Sequence, residues 1–244
     1  MPAVQGGHQV LETDITISSD TTNYSLQADL QNNYGWDGTS PIEVNLTINS
    51  GVNVYSTSTS TPAILVNLVS GSVLTLNNSG NIIGRGGSGG SGAGASSLST
   101  NGGAGGAGGN AINLLNVTAT INNLSGAVIA GGGGGGGGQG NARGNPVNDA
   151  ESGCTGSDRQ NGGNAGGSGA STNAPPTNSA SGNGGTWGNA GGGGAQGSLS
   201  GIASGCTIFR AGGGAGGAAG KAISVGSGAS NTLNNSGTTH GATS

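Results

Sequence analysis

Hydrophobic and polar residues alternate in short runs through the first third of the chain. Val, Ile and Leu take most of the alternate positions of these runs, and mostly polar residues stand between them. A period of two, with turn-forming residues between the runs, is typical of half-buried β-strands. The pattern therefore predicts a small β-rich region. The runs are VLETDITIS (10–18), IEVNLTI (42–48), GVNVY (51–55), AILVNLV (63–69) and VLTL (73–76).

One segment between the first two runs has the spacing of a helix instead. In TNYSLQADLQNNYG (22–35), Leu26 and Leu30 are four residues apart and would lie on one helix face. Ser25 precedes them and belongs to the residue types that cap helix N-termini, and Gly35 follows as a stop signal. The sequence therefore predicts one short helix in this region.

A short motif occurs three times in the chain. It reads TLNNSG from Thr75, TINNLSG from Thr120 and TLNNSG from Thr232. Asn-Ser-Gly is a turn-forming combination, so we expect three equivalent strands of one layer that each turn at this point. The unequal spacing of the copies argues against a solenoid.

Glycine dominates the chain from residue 84 onward. There are 59 glycines in 244 residues, and Gly131 to Gly138 form an uninterrupted run of eight. A polyproline-II-like helix has three residues per turn and no internal hydrogen bonds, so its backbone groups point outward. Glycine edges would let neighbouring helices pair these groups, whereas a Cβ would hold the helices apart and leave buried groups unpaired. The runs occupy 84–94, 101–110, 131–138, 162–169, 182–194 and 211–220.

The alternative interpretation of these runs is a set of disordered Gly/Ser linkers. The runs are similar in length, and the polar intervals between them allow the chain to reverse, which favours packing. We therefore predict an all-β and polyglycine-II fold with two domains. Residues 1–83 would form a β-rich domain with one short helix, and residues 84–244 a sandwich of packed polyglycine-II helices with connecting loops.

Composition excludes several classes of function. Only 6% of residues are charged and the net charge is −4, so no basic surface is available for nucleic acid. The longest nearly apolar run, Pro62–Val69, is too short to span a bilayer, and the first residues lack the features of a secretory signal. Cys154 and Cys206 could be bridged or free. With only two distant histidines beside them, no metal site is expected.

The ionisable residues do not suggest catalysis. Among nine carboxylates only Asp149, Glu151 and Asp158 cluster, within one polar interval, and His8 and His240 lie near the termini. Acid–base catalysis needs a placed pair of groups with matched pKa values. Patterns of the form G-x-G-x-x-G recur, but no βαβ unit accompanies them. We expect neither an enzyme nor a cofactor.

Three stretches carry a resemblance to a known family. They are GRGGSGG (84–90), TINNLSGAVIAGGGGGGGG (120–138) and GGGAGGAAGKAISV (212–225), followed by a final asparagine-rich strand. In this order the chain resembles, over about residues 36–244, the receptor-recognising adhesins that cap the long tail fibres of T-even-like bacteriophages. GWDGTSPIEVNLTINSGVNV (35–54) is similar to a segment ahead of such glycine-rich domains in other phage tail proteins. Residues 1–35 show no clear match to the fibre-attachment domain of the T-even adhesins.

The resemblance implies a virion protein at a fibre or tail tip that binds a host-surface receptor, either an outer-membrane protein or a polysaccharide. Residues 1–83 would attach it to a fibre or tail-tip protein, with no membrane insertion. Loops at one end of the glycine helices would bind the receptor. If successive runs reverse direction, residues 139–161 and a later segment, best 195–210, share an end. The receptor-binding candidates are Arg143, Asn145, Asp158, Arg159, Trp187, Ile208, Phe209 and Arg210.

Two questions stay open at this point. Trp187 could be an interface anchor or a plug between helices. A purely structural virion cap or spacer, without a receptor of its own, is the alternative function. An ice-binding polyglycine protein would fit the glycine helices but not the charged interval 139–161.

Overall fold

A computed structural model describes residues 11–94, 100–145, 160–161, 167–170, 182–196 and 207–244. Apart from one helix, α1 (Leu26–Asn33), its regular elements are strands. The strands are β1 (Leu11–Ile17), β2 (Thr21–Thr22), β3 (Tyr24–Ser25), β4 (Ile42–Ile48), β5 (Asn53–Tyr55), β6 (Ile64–Asn78), β7 (Asn81–Ile83), β8 (Ile112–Asn123), β9 (Val128–Ala130), β10 (Ala142–Asn145), β11 (Gln160–Asn161), β12 (Thr207–Arg210), β13 (Ile223–Val225), β14 (Ser230–Asn235) and β15 (Thr238–His240).

Two parallel sheets form a strand stack. One sheet has the order β1-β4-β6-β8-β13, with β14 also paired to β8 and β3 to β6. The other has the order β15-β9-β7-β5-β2. Each long strand of the first sheet is followed by a short strand of the second, as β8 is followed by β9. The chain thus builds one layer after another, and the pairs within both sheets are parallel.

The three motif copies occupy equivalent places in successive layers. Thr75 pairs with Thr120, and Thr120 with Thr232. The expectation of equivalent strands is confirmed, since the three strands pair side by side in one sheet. The inference from unequal spacing that the copies do not stack was wrong. Spacing misled it because long glycine-rich insertions separate strands that still stack in register.

Asparagine side chains tie the layers together. Asn78 donates to Asn123 at 2.9 Å, and Asn123 donates to Asn235 at 2.8 Å. Asn78 and Asn123 are fully buried, so the amides satisfy one another where water is excluded. A second ladder links Asn122 to Asn77 and Asn234 to Asn122 at 2.8 Å each.

The hydrophobic core lies between the two sheets. Alternate residues of the strands are buried, as in the row Leu46, Leu76 and Ile121, all at zero exposure. The core and the first sheet take residues from both sides of the expected boundary at 83/84, since β8, β13 and β14 all follow it. AILVNLV and VLTL, which read as two strands, form the single strand β6 with a register shift between Asn67 and Ser72.

The helix is where the sequence predicts it. The Ser25 side chain accepts a hydrogen bond from the Ala28 amide, and Leu26 and Leu30 are fully buried. The helix ends at Asn33, and Gly35 adopts a φ of +68°, which glycine tolerates at no steric cost. Residues of α1 contact β6.

Seven glycine-rich segments lie side by side beyond the strand stack, and together they form the glycine bundle. We number them I to VII in chain order: 84–94, 100–111, 130–141, 167–170, 182–186, 189–196 and 211–221. They are bonded to one another by backbone hydrogen bonds that recur every third residue. Segment I, for example, donates from Gly84, Gly87 and Gly90 to residues 130, 133 and 136 of segment III at 2.8 Å each.

Segment III, which contains the eight consecutive glycines, lies at the centre of the other six. It donates to segments II, IV and VI and accepts from segments I, V and VII. The outer segments are also bonded to one another in the closed ring I-II-VII-VI-V-IV. Each amide from Gly131 to Gly138 donates to a carbonyl of another part of the chain, and all eight residues are buried.

This position explains why the central run has no side chains. A Cβ on any residue from Gly131 to Gly138 would overlap a backbone atom of a neighbouring segment; at Gly134 that atom is the carbonyl oxygen of Gly217. The outer segments instead have one edge that faces away from the bundle, and they carry side chains there. At every third position these residues are exposed: Arg85, Ser88 and Ser91; Ala104 and Ala107; Ala215, Ala218 and Lys221.

Candidate functional site

The glycine bundle has a proximal end next to the strand stack and a distal end away from it, and different strands connect to each end. Segments I, III and VI leave the strand stack, whereas II, IV, V and VII run back toward it. At the proximal end, segment I follows β7 and segment III follows β9. At the distal end, segment III leads into β10, and β12 leads into segment VII. Successive runs therefore reverse, except that IV and V share a direction.

A three-stranded antiparallel sheet forms the distal end, in the order β11-β10-β12. Residue 142 of β10 pairs with Arg210, Arg143 with Phe209, Gly144 with Ile208, and Asn145 with Thr207. On its other side, Arg143 pairs with Gln160 and Ala142 with Asn161. The prediction that residues 139–161 and 195–210 share an end is confirmed by this pairing.

Five candidate residues are therefore brought together in this distal sheet: Arg143, Asn145, Ile208, Phe209 and Arg210. Arg210 is exposed at the end of β12. Asp158 and Arg159 lie outside the described residues, as do Cys154 and Cys206. What these residues bind stays a prediction.

Trp187 lies at the opposite end of the bundle. It stands in the turn between segments V and VI, where Gly188 donates to the carbonyl of Gly131 at 2.9 Å, the first residue of the glycine run. The half-buried indole packs near His240, with ring centroids 6.1 Å apart. Its buried Nε1 has no hydrogen-bond acceptor in the part of the chain that the structure describes. The structure thus separates Trp187 from the other candidates.

Asn141, the residue before β10, connects the start of the distal sheet to three neighbouring segments by hydrogen bonds. It was not among the residues predicted from the sequence. Its side chain accepts from the Thr100 amide at 2.9 Å and donates to the Gly94 carbonyl at 3.0 Å. Its own carbonyl accepts from the Ala211 amide at 2.8 Å. Only 1% of Asn141 is exposed. An asparagine directly after a buried glycine run is the signal that could have revealed it, because asparagine side chains pair readily with free backbone groups.

The perturbed ionisable groups lie far from this sheet. The pKa of Tyr24 is raised by burial and by the hydrogen bond its hydroxyl donates to Asp29 at 2.6 Å. The pKa of Asp37 is lowered by hydrogen bonds from the hydroxyl and amide of Ser40 and from the Thr39 amide. Tyr24 lies in β3 and Asp37 in the loop after α1, both at the strand stack. Across the described ranges, no cluster of His, Cys, Asp and Glu could hold a metal ion, and no helix is long and apolar enough to cross a bilayer.

A family model described as phage tail fibre adhesin Gp38 matches residues 12–244. The chain belongs to this family of phage tail fibre adhesins, whose members are components of the virion tail with a role in host recognition.

A solved structure shows the same fold. The chain is similar to one in the crystal structure of the gp37-gp38 adhesin tip complex of the bacteriophage S16 long tail fibre. The two chains share 22% sequence identity with a TM-score of 0.54, and the match covers 96% of this chain and 82% of the other. None of the curated proteins compared with this chain matches it.

Proposed function

We propose that the protein is the adhesin at the tip of a phage fibre and binds a receptor on the host cell surface through its distal sheet and loops. The observation that carries this proposal is the pairing of β10 with β12 at the end of the bundle farthest from the strand stack. This end can meet a cell surface while the stack meets the virion. The protein would act by binding, without a chemical step or a cofactor.

We further propose that the seven segments are polyglycine-II helices in a sandwich. Hydrogen bonds at every third residue match a helix with three residues per turn, and the bonds run between segments rather than within them. Such a bundle needs no large hydrophobic residues, so its outer loops can change without repacking a core. A scaffold of this kind suits a protein whose function depends on variable loops.

Attachment to the fibre is assigned to residues 1–83. Six of the nine carboxylates and none of the five Lys and Arg residues lie in this part. The edge strand β1 exposes Glu12 and Asp14 and pairs only with β4 among the described strands. The fibre neighbour in the similar complex, gp37, makes a fibre protein the natural partner for this edge.

The attachment assignment is tested in the full chain, because residues 84–244 share the first sheet with residues 1–83. The double variant Glu12→Lys, Asp14→Lys should fold but fail to join virions. Thr118→Lys adds a charge to an exposed position of the interior strand β8 and serves as the control. Normal incorporation of the double variant would move the docking surface away from β1.

The receptor assignment is tested by exchanging residues 146–159 for a Gly-Ser segment of equal length. Strands β10 and β11 flank this connection and remain intact. The variant should fold and join virions, yet the virions should lose adsorption to host cells. Trp187→Ala, at the opposite end, should keep adsorption. If the exchanged variant adsorbs normally, residues 146–159 do not bind the receptor. If the unsubstituted protein also fails to bind isolated host cell envelopes, it is a structural cap or spacer without a receptor of its own.

A further inference from the structure

Asn141 lies at the junction between the central segment of the glycine bundle and the distal sheet. It is the last residue of segment III and directly precedes β10. Its backbone amide donates to the Thr100 carbonyl at 3.2 Å, and its side-chain Oδ1 accepts from the Thr100 amide at 2.9 Å. Two reciprocal hydrogen bonds thus join Asn141 to the first residue of segment II.

The other polar groups of Asn141 bond to two further segments. The Nδ2 group donates to the carbonyl of Gly94, the last residue of segment I, at 3.0 Å. The backbone carbonyl accepts from the amide of Ala211, the first residue of segment VII, at 2.8 Å. Ala211 directly follows β12, which pairs with β10. Asn141 therefore joins segments I, II and VII at the point where both strands connect to the bundle.

We propose that Asn141 is a positioning residue for receptor binding: its hydrogen bonds fix β10 and β12 relative to the bundle, and it does not itself contact the receptor. The proposal rests on the proposed function, since it concerns the same distal end. Asn141 is 1% exposed, so a partner that approaches from outside cannot reach its side chain. Its influence on binding therefore passes through the strands that it holds.

The change from bundle to sheet explains why an asparagine stands at this point. From Gly131 to Gly138, segment III bonds to its neighbours through its backbone. Beyond Asn141 the chain pairs with β12 as an antiparallel strand. At the changeover, the Thr100 amide and the Gly94 carbonyl bond to a side chain. A primary amide carries donors and an acceptor, so this one side chain serves both groups, which alanine could not do.

The bonds of Asn141 bear on affinity because they order the distal end before it meets a partner. A surface that is held in one arrangement loses less conformational entropy when it binds. Asn141→Ala removes the side-chain bonds to segments I and II but changes no residue that a receptor could touch. We therefore expect weaker binding by a protein that is still folded.

The test measures binding of the full chain to isolated cell envelopes of a susceptible host, together with thermal unfolding and amide hydrogen exchange. The variants are Asn141→Ala and Asn141→Asp, which keeps the shape and the acceptor but loses the donor. Asn110→Ala is the matched control. Asn110 lies at the proximal end of segment II, where its side chain accepts from the Lys221 amide of segment VII at 2.8 Å and donates to Asn113 at 2.9 Å.

We expect both Asn141 variants to bind the envelopes about tenfold more weakly, a loss of the size that ordering a few residues on binding produces. Asn110→Ala should bind normally, although its melting temperature falls. The amides of β10 and β12 should exchange faster in the Asn141 variants, whereas those from Gly131 to Gly138 should keep their rates.

Normal affinity of the folded Asn141 variants, or an equal loss of affinity in Asn110→Ala, would overturn the positioning role and leave the adhesin function standing. Failure of both Asn141 variants to fold would also overturn it, because Asn141 would then be needed for the bundle itself. If the unsubstituted protein does not bind the envelopes, the proposed function is wrong and the positioning role is lost with it.

Discussion

The strand stack and the glycine bundle are built in one chain on opposite principles. In the stack, side chains hold the structure together: rows such as Leu46, Leu76 and Ile121 are removed from water between two sheets. In the bundle, the backbone itself is the packing surface, and the eight buried residues Gly131 to Gly138 of segment III have no side chains. The same residue, glycine, would weaken the first region and is indispensable in the second.

The comparison shows that burial does not require hydrophobic side chains. Each fully buried Leu or Ile contributes roughly 1.5–3 kcal/mol through the hydrophobic effect. A buried amide contributes less, about 0.5–1.5 kcal/mol net for its hydrogen bond. Leaving that amide buried and unpaired costs about 1–3 kcal/mol. The cost of unpaired buried amides therefore stabilises the bundle at least as much as the net gain from each hydrogen bond.

The largest expected effect is at the centre of the bundle. Gly134→Val places a branched side chain against the carbonyl of Gly217 and should separate segment III from its neighbours. We expect a loss of at least about 4 kcal/mol in the free energy of unfolding, because overpacking and unpaired backbone groups add. Thermal unfolding measures it. Ala104→Val, on an outer edge, is the control and should change stability by less than about 0.5 kcal/mol. Similar, small shifts for both variants would mean that the glycine run is a linker.

In the strand stack the largest effect should come from a cavity. Leu76→Ala removes a fully buried side chain of β6 and should cost about 2–5 kcal/mol. Denaturant unfolding, followed by circular dichroism, gives the value. The exposed Val73 of the same strand supplies the comparison, since Val73→Ala should be nearly neutral. A neutral Leu76→Ala would show that the side-chain core does not stabilise the stack.

The asparagine ladder should give an intermediate effect. Asn123→Ala removes hydrogen bonds to Asn78, Asn235 and the Thr238 carbonyl, and the buried Asn78 side chain loses a partner. The expected cost is about 1–3 kcal/mol. Asn122→Ala, in the outer and half-buried ladder, should cost less because water can replace the lost partner. Equal melting shifts for the two variants would contradict this ranking.

The smallest expected effect concerns Tyr24. Because its pKa is raised above the ordinary value of about 10, the folded state favours the neutral phenol. Its contribution is fully present below about pH 10 and is lost as the pH rises toward the folded-state pKa. Tyr24→Phe should cost about 1 kcal/mol at pH 8, and the difference from the unsubstituted protein should shrink above pH 10. Urea midpoints measured from pH 8 to pH 11 test this; a constant difference would contradict it.

Local patterns predicted much of the fold. Period-two runs located β1 and β4, the Leu26–Leu30 spacing and Ser25 located α1, and the repeated TLNNSG motif marked strands that pair in register. These signals are local because alternation, capping and turn chemistry act within a few residues.

What the sequence did not reveal depends on contacts between distant residues. The continuous sheet across 83/84 and the stacking of layers depend on pairings separated by long insertions. Trp187 and Asn141 have positions set by where segments meet, which no local pattern encodes. The pairing of β10 with β12 was the exception. It could be predicted because packed runs that reverse direction in succession bring alternate loops to the same end.

Amide hydrogen exchange at single-residue resolution tests directly whether glycine backbone is the packing surface of the bundle. The eight amides from Gly131 to Gly138 all donate to neighbouring parts of the chain, whereas the amides of Ala104 and Ala107, on the outer edge, donate to no backbone group among the described residues. We predict that the eight exchange together and slowly, at the rate of global unfolding, and that Ala104 and Ala107 exchange much faster. Exchange of Gly131 to Gly138 at the rate of an unstructured glycine peptide would show that these residues do not pack against neighbouring segments.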